Sequence, residues 1–225
     1  VFTEEAFTPH VASADDLADR RTLRQAGRLL SEAGWEVGDD GFRYKDGQRL
    51  TVEVLNDSPS FERIINPYIE NLKRLGIEAN ANRVDAAEAQ EREKNFEYDV
   101  VTQRFAMSQT PGDELRSVFG SETADVPGSA NIAGVSNEGV DQLIRAIADA
   151  ESREELTTAV HALDRVLRAM HIWVPQWYKG VHNIAYLDVY DRPYADTPPP
   201  YGLGVMSLWW WDEEKAAELR AEGAL

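Results

Sequence analysis

L-T-V-E-V-L-N (50–56), an apolar-faced run over 60–75, I-E-A-N-A-N-R-V (77–84), a short run from Asp85 to about Asn95, and Y-D-V-V-T-Q-R (98–104) decide the fold. The first segment alternates at period two and carries β-branched side chains, the pattern of a strand. In the second, Phe61, Ile64, Ile65, Tyr68, Ile69, Leu72 and Leu75 fall on one helical face. Pro67 removes a backbone donor near its middle and is expected to bend it, and Gly76 ends it. Asp85 is an N-cap candidate with Glu88 three residues on, a capping-box pattern. Strand, helix, strand, helix, strand at this spacing predicts an α/β fold with a mostly parallel sheet, flanking helices and right-handed crossovers.

Upstream, residues 1–19 carry isolated apolar positions among Pro9, Ser13 and acids, which reads as an arm. A helix is predicted from near Asp19 through Leu23, Ala26, Leu29, Leu30 and Ala33, stopped by Gly34. D-D-G and K-D-G between Trp35 and Arg49 predict a tight hairpin, where glycine supplies positive φ. Downstream, a short helix is expected near Asp113–Phe119, then helices at about 138–149 and 152–170, the latter with Ser152 and Glu155 as a capping box. Ile172–Tyr178 and His182–Leu187 read as extended. R-P-Y-A-D-T-P-P-P-Y-G-L-G is a stiff linker ending in V-M-S-L-W-W-W (205–211). As a short terminal strand, that block would point its tryptophans to both faces, and it is expected to pair with something absent from this chain. The organisation expected is therefore an arm, helix and hairpin over 1–45, an α/β ligand-binding lobe over 46–185, and a Pro-rich crossover with a Trp-rich tail over 186–225.

Composition excludes several classes. With 43% hydrophobic and 28% charged residues the chain can bury a core. Forty acids against 23 bases leave a formal charge of −17. That opposes nucleic-acid binding, which needs basic clusters, and docking on anionic lipid. There is no cysteine, hence no disulfide or thiolate chemistry. No apolar run approaches the roughly 20 residues of a membrane span. The chain opens at Val1 without a signal-like segment, and a processed or truncated piece is expected.

No catalytic set emerges. Ser136 in G-V-S-N-E-G is one residue out of register for a nucleophile elbow and reads as a turn. His161 and His171 are not spaced as a ligand pair, and no metal or nucleotide motif occurs, so no cofactor and no metal site are expected. A ligand cleft is better founded. In open parallel sheets ligands lie off the carboxyl ends of the strands, where the strand at 98–104 delivers Phe105, Met107, Ser108 and Gln109. Phe105 and Met107 offer adaptable apolar contact, and Ser108 and Gln109 offer hydrogen bonds. The alternative open at Phe105 and Met107 is that they turn back into the core. Asn131 in G-S-A-N-I-A-G either presents an amide to a peptide-like group or caps a turn. Trp177, with Tyr178, lines the same cleft or fills the domain.

A-G-R-L-L-S-E-A-G-W (26–35), D-G-F-R-Y-K-D-G-Q-R-L (40–50), R-L-G-I-E-A (74–79), F-E-Y-D-V (96–100), P-G-D-E (111–114), G-S-A-N-I-A-G-V-S-N-E-G-V-D (128–141), A-L-D-R-V-L (162–167) and V-P-Q-W (174–177), in this order, resemble the C-terminal part of an extracellular solute-binding protein of the dipeptide/oligopeptide class (family 5), in its YejA-like subgroup. The resemblance implies the second lobe of a two-lobe type II periplasmic binding protein. It further implies a periplasmic, non-enzymatic subunit of an ABC importer that hands oligopeptide-like solutes, or modified ones such as N-blocked peptides and peptide-nucleotides, to a membrane permease. An N-terminal lobe would precede Val1, and the tail from about 186 would return to it. One departure bears on specificity. Where ordinary oligopeptide-binding relatives carry a tryptophan and an aspartate that pairs with the peptide's amino terminus, this chain has Phe105 and Ser108. A hydroxyl does not offset a buried ammonium as a carboxylate does, so the ligand's amino end is expected to be blocked, absent or placed differently. Two other classes stay open: a secreted hydrolase with a non-obvious catalytic set, and a ligand-sensing or chaperone-like binder on the same fold.

Overall fold

In the computed structural model, which describes residues 19–105, 110–176, 180–181, 183–194 and 202–224, the βαβαβ order is realised as a three-stranded parallel sheet. β4 (Thr51–Asn56) lies between β5 (Glu78–Arg83) and β6 (Val100–Val101), in the order β5-β4-β6. Val54 stands opposite Ala81 on one side and Val100 on the other. α2 (Glu62–Arg74), entered through a 3-10 turn at Pro59–Phe61, connects β4 to β5, and α3 (Ala86–Lys94) connects β5 to β6. α2 continues through Pro67, which sits on its exposed side. Asp85 caps α3 by accepting from the N–H groups of Ala87 and Glu88, both at 2.9 Å.

β6 is shorter than the expected 98–104. Only Val100 and Val101 find ladder partners. Tyr98 and Asp99 are diverted instead: the Tyr98 hydroxyl donates to the Ile132 carbonyl (2.7 Å), and the Asp99 carboxylate accepts the Glu53 N–H (2.8 Å).

Before the sheet, α1 (Arg20–Glu32) is capped by Asp19, and β1 (Glu36–Val37), β2 (Arg43–Lys45) and β3 (Gln48–Arg49) form an antiparallel meander. Arg43 fastens these pieces to α2. It is 7% exposed, and its guanidinium donates to the carbonyls of Leu75 (2.6 Å), Trp35 (2.6 Å) and Gly27 (3.2 Å) and to the Ser31 hydroxyl (3.1 Å). A cation placed among the carbonyls at the C-terminal ends of α1 and α2 also meets the negative ends of their dipoles. Gly76, at φ +82°, lets α2 end against this staple, because a Cβ there would meet the Gly41 carbonyl at 2.9 Å. Gly76→Ala is therefore expected to cost about 2 kcal/mol, from left-handed strain and crowding together. Chemical unfolding of the full-length protein checks this, and an unchanged midpoint would contradict the close approach.

After the sheet come α4 (Leu115–Phe119), α5 (Glu138–Ala148) and α6 (Arg153–Ala169). Ser152 accepts the Glu155 N–H as expected for a capping box, but the Glu155 carboxylate reaches back to the Glu151 N–H, one residue further than the motif requires. Two separate apolar clusters result. One joins Val54, Ile65, Ile69, Ile77 and Ala79 between the sheet and α2. The other joins Leu115, Phe119, Val135, Val140, Ile144 and Leu163 among α4, α5 and α6. Polar bridges connect the two regions, through Tyr98 to Ile132 and from the Gly128 N–H to the Lys94 carbonyl at 2.8 Å.

The chain divides into two compact units between Val174 and Pro175, whereas the sequence reading ends the lobe near 185. Among the described residues, 172–176 and 183–187 join no ladder. In the second unit β7 (Tyr190–Asp191) pairs antiparallel with β8 (Trp210–Trp211), and α8 (Glu213–Ala221) follows. The block at 205–211 thus differs from expectation. Gly204, at φ +61°, launches one helical turn, α7 (Val205–Leu208), whose last N–H groups bond back to the Gly204 carbonyl, and the tryptophan strand finds a partner within this chain. The Trp209 indole N–H donates to the Tyr194 hydroxyl (2.8 Å), while Trp210 and Trp211 stay largely exposed. No helix among the described residues is long and apolar enough to cross a membrane.

Candidate functional site at the carboxyl edge of the sheet

β4 ends at Asn56, which is buried. Its side chain donates to the Ser58 carbonyl and accepts the Ser58 N–H, so the chain turns sharply as it leaves the sheet. β6 ends alongside and runs into Thr102, Gln103 and Phe105. Between these strand ends is a cavity of about 90 Å³. Leu55, Phe61, Ala89 and Val101 supply its apolar surface, and Asp57, Ser58, Glu93 and Thr102 its polar one. Glu93 reaches it from α3, held by a 2.9 Å hydrogen bond from the Gln103 amide. Burial first, and the neighbouring Asp57 carboxylate second, push the Glu93 carboxyl above the usual carboxylate range, while the Gln103 bond pulls the other way. On β4, two residues before Leu55 and on the same sheet face, Glu53 behaves oppositely. The Arg92 guanidinium lies 2.5 Å away and, with the Asn82 amide, holds the Glu53 carboxyl below its usual range.

Phe105 follows β6 and is 43% exposed, with its ring 5.3 Å from that of Trp173. Trp173 in turn lies 5.6 Å from the buried Phe119. The result is an aromatic ladder with a buried foot and an exposed upper end. Met107, Ser108, Gln109 and Trp177 lie outside the described residues. Asn131 is a correction. Its side chain is fully buried, with the amide donating to the carbonyls of Gly120 (3.1 Å) and Val135 (2.9 Å) and the oxygen accepting the Val135 N–H (2.8 Å). An amide committed to three backbone groups of its own loop is not available to a solute; its small neighbours serve a tight inward-facing turn. Trp173, Asp57 and Glu93 are not singled out by sequence reasoning. Trp173 belongs to the I-W-V-P run, where only the later Trp177 drew attention, and the two acids are lost among forty. Among the described residues, no group of three or more His, Asp or Glu side chains is arranged to hold a metal ion.

This geometry sits in a chain whose residues 3–126 match the model of the bacterial extracellular solute-binding proteins, family 5. The chain belongs to that family. Within it the chain falls in the YejA subgroup, being 41% identical over 211 residues to the probable peptide-binding protein YejA of Agrobacterium fabrum. That match covers 93% of this chain and 34% of the relative, so the chain spans about a third of the length of the curated relative. Among solved structures it is similar to the Thermotoga maritima periplasmic oligopeptide-binding protein with mannohexaose bound (TM-score 0.64, 18% identity, 85% of this chain and 38% of that one). It is also similar to the Bacillus subtilis oligopeptide-binding protein AppA in complex with a nonapeptide (TM-score 0.59, 21% identity, 66% and 30%). The α/β unit with its parallel sheet and flanking helices thus has the fold of the type II periplasmic binding proteins.

Proposed function

We propose that this family 5 chain forms one wall of a solute-binding cleft in the ligand-capturing subunit of an ABC importer, and that its solutes are oligopeptide-like. The observation that carries this reading is the carboxyl edge of the β5-β4-β6 sheet, where a cavity with an apolar floor and polar rim lies beside strand ends, the position at which open parallel sheets take ligands. The exposed upper end of the Phe105–Trp173 ladder adds flat apolar surface after β6. The name of the Agrobacterium relative and the nonapeptide held by the Bacillus protein support peptides as the solute class. The mannohexaose in the Thermotoga protein shows that the fold by itself admits other polymers.

The remainder of the protein supplies the opposing wall, and a solute bridging both stabilises the closed state by contacts that the open state lacks. The closed, loaded form is what a membrane permease receives, in the periplasm. No chemical step is assigned to the site. With Ser108 where peptide-binding relatives place a carboxylate, the solute's amino end is blocked, absent or held elsewhere. Calorimetry of the full-length protein with matched free and N-formylated pentapeptides tests both levels of the reading. Saturable binding in which formylation costs less than about threefold, roughly 0.65 kcal/mol, is expected. Failure of every peptide to bind overturns the peptide assignment, and a strong preference for the free amine overturns a blocked amino end.

A further inference from the structure

The Phe105–Trp173 ladder is built more firmly than a plain apolar surface requires. Its foot, Phe119, is 5% exposed and closes α4 inside the helical cluster. The residue that follows is gripped from two sides: the Gly120 N–H donates to the Arg116 carbonyl (2.9 Å), and the Gly120 carbonyl accepts the Asn131 amide (3.1 Å). A Cβ at position 120 would meet the Arg116 carbonyl at 2.5 Å, so only glycine permits this approach. One residue further, the Ser121 N–H donates to the Asp141 carboxylate (2.9 Å). The chain leaving α4 is thus pinned, and the Phe119 ring with it. At the upper end, Gln103 ties the segment to α3 through Glu93 (2.9 Å), two residues before Phe105.

Rings held in this way still face solvent. Phe105 is 43% exposed and Trp173 39%, although each touches the next ring of a series that ends in the core. An exposed apolar side chain by itself is ordinary. Two contiguous rings on a fixed foot form a prepared surface, and its place says what covers it. Phe105 ends the segment whose Val101 and Thr102 line the cavity, at the edge where open parallel sheets take ligands. The planes of Phe105 and Trp173 are inclined at 45°, and those of Trp173 and Phe119 at 57°. Both pairs lie between offset stacking and edge-to-face contact, the arrangements that aromatic rings prefer. One more ring at the exposed end continues the same series, whereas an aliphatic group of equal size gains area without the ring–ring attraction. Because the acceptor rings are already ordered, little further ordering is needed on binding.

We infer that Trp173 and Phe105 form a subsite for a planar aromatic side chain of the solute, with Trp173 as its specificity-determining residue. The inference rests on the oligopeptide reading above and names the side-chain chemistry this wall selects. Asn131 takes part as a positioning residue, through Gly120 and Phe119.

The test titrates full-length protein with pentapeptides carrying phenylalanine or its saturated counterpart cyclohexylalanine at each position in turn. At one position phenylalanine is expected to bind about threefold to tenfold more tightly, the range that ring–ring contacts add beyond buried area. Phe105→Leu and Trp173→Leu are each expected to bring that ratio below about twofold, and Trp173→Phe to keep it. Trp173→Leu also removes a contact to Phe119 and is liable to loosen the helical block, so Phe105→Leu, at the exposed end, carries the decision if that variant fails to fold. If the two peptides bind wild-type protein equally at every position, or if the preference survives in Phe105→Leu, the aromatic subsite is wrong while the peptide reading stands. If no peptide of either kind binds, the peptide reading fails and this inference falls with it.

Discussion

Arg43→Met is expected to destabilise the full-length protein by about 4 kcal/mol, and Arg43→Lys by nearly as much. The guanidinium serves four acceptors at once, three of them main-chain carbonyls, while being 7% exposed. Removing it leaves the Leu75 and Trp35 carbonyls without the donor that replaced water, at about 1–3 kcal/mol for each buried group left unsatisfied. A lysine head restores at most some of these contacts, because it lacks the planar fork that reaches several acceptors in different directions. The loss falls on the junction of α1, the β1–β3 meander and the end of α2, none of which carries the cavity. Denaturant unfolding gives the stability change; a change below about 1 kcal/mol in both variants would contradict the staple.

Asn131→Asp is expected to cost about 4 kcal/mol at pH 8, and less in acid. The substitution exchanges the two N–H bonds given to the Gly120 and Val135 carbonyls for oxygen facing oxygen, in a site with no solvent access. Burial and the two carbonyls raise the folded pKa of the new carboxyl above its unfolded value near 3.9. A group with a raised folded pKa binds more protons folded than unfolded. The penalty is therefore smallest below about pH 4, grows as the pH rises through the unfolded value, and levels off above the folded one. Unfolding of wild type and variant at pH 5 and pH 8 measures the difference. Equal penalties at both values, or a penalty below about 1 kcal/mol at pH 8, would show that the Asn131 environment is more open than its burial implies.

These two residues also mark what a sequence can and cannot disclose. The order β4–α2–β5–α3–β6 is readable because each element carries its own periodicity and its own punctuation, such as Asp85 before α3 and Gly76 after α2. The length of β6 is not, because it depends on what Tyr98 and Asp99 bond to, at Ile132 and Glu53. Arg43 is one basic residue among 23, and its burial is created by partners that span Gly27 to Leu75. For Asn131, an amide amid small residues fits both a ligand contact and an inward turn, and only the position of the Gly120 and Val135 carbonyls separates them. At the site itself, the arrival of the chain at the sheet edge through Phe105 follows from the strand pattern. The partnership of Phe105 with Trp173 and the arrival of Asp57 and Glu93 at one cavity do not, since they bring together residues far apart in the chain that no local rule connects.

The two apolar clusters of the first unit have a dynamic consequence. Neither is continuous with the other, and they are joined by hydrogen bonds such as Tyr98 to Ile132 and Gly128 to Lys94 and by the ring contacts from Phe105 through Trp173 to Phe119. Regions joined by few links outside their own cores open as separate cooperative blocks. The α4–α5–α6 block is thereby free to lose its hydrogen-exchange protection while the sheet and α2 retain theirs. The Phe105–Trp173 ladder is footed on Phe119 in the helical block, whereas the acidic cavity belongs to the sheet. The ladder therefore reaches from the edge of the sheet to the helical block, and the packing of its rings reports on the cohesion between the two.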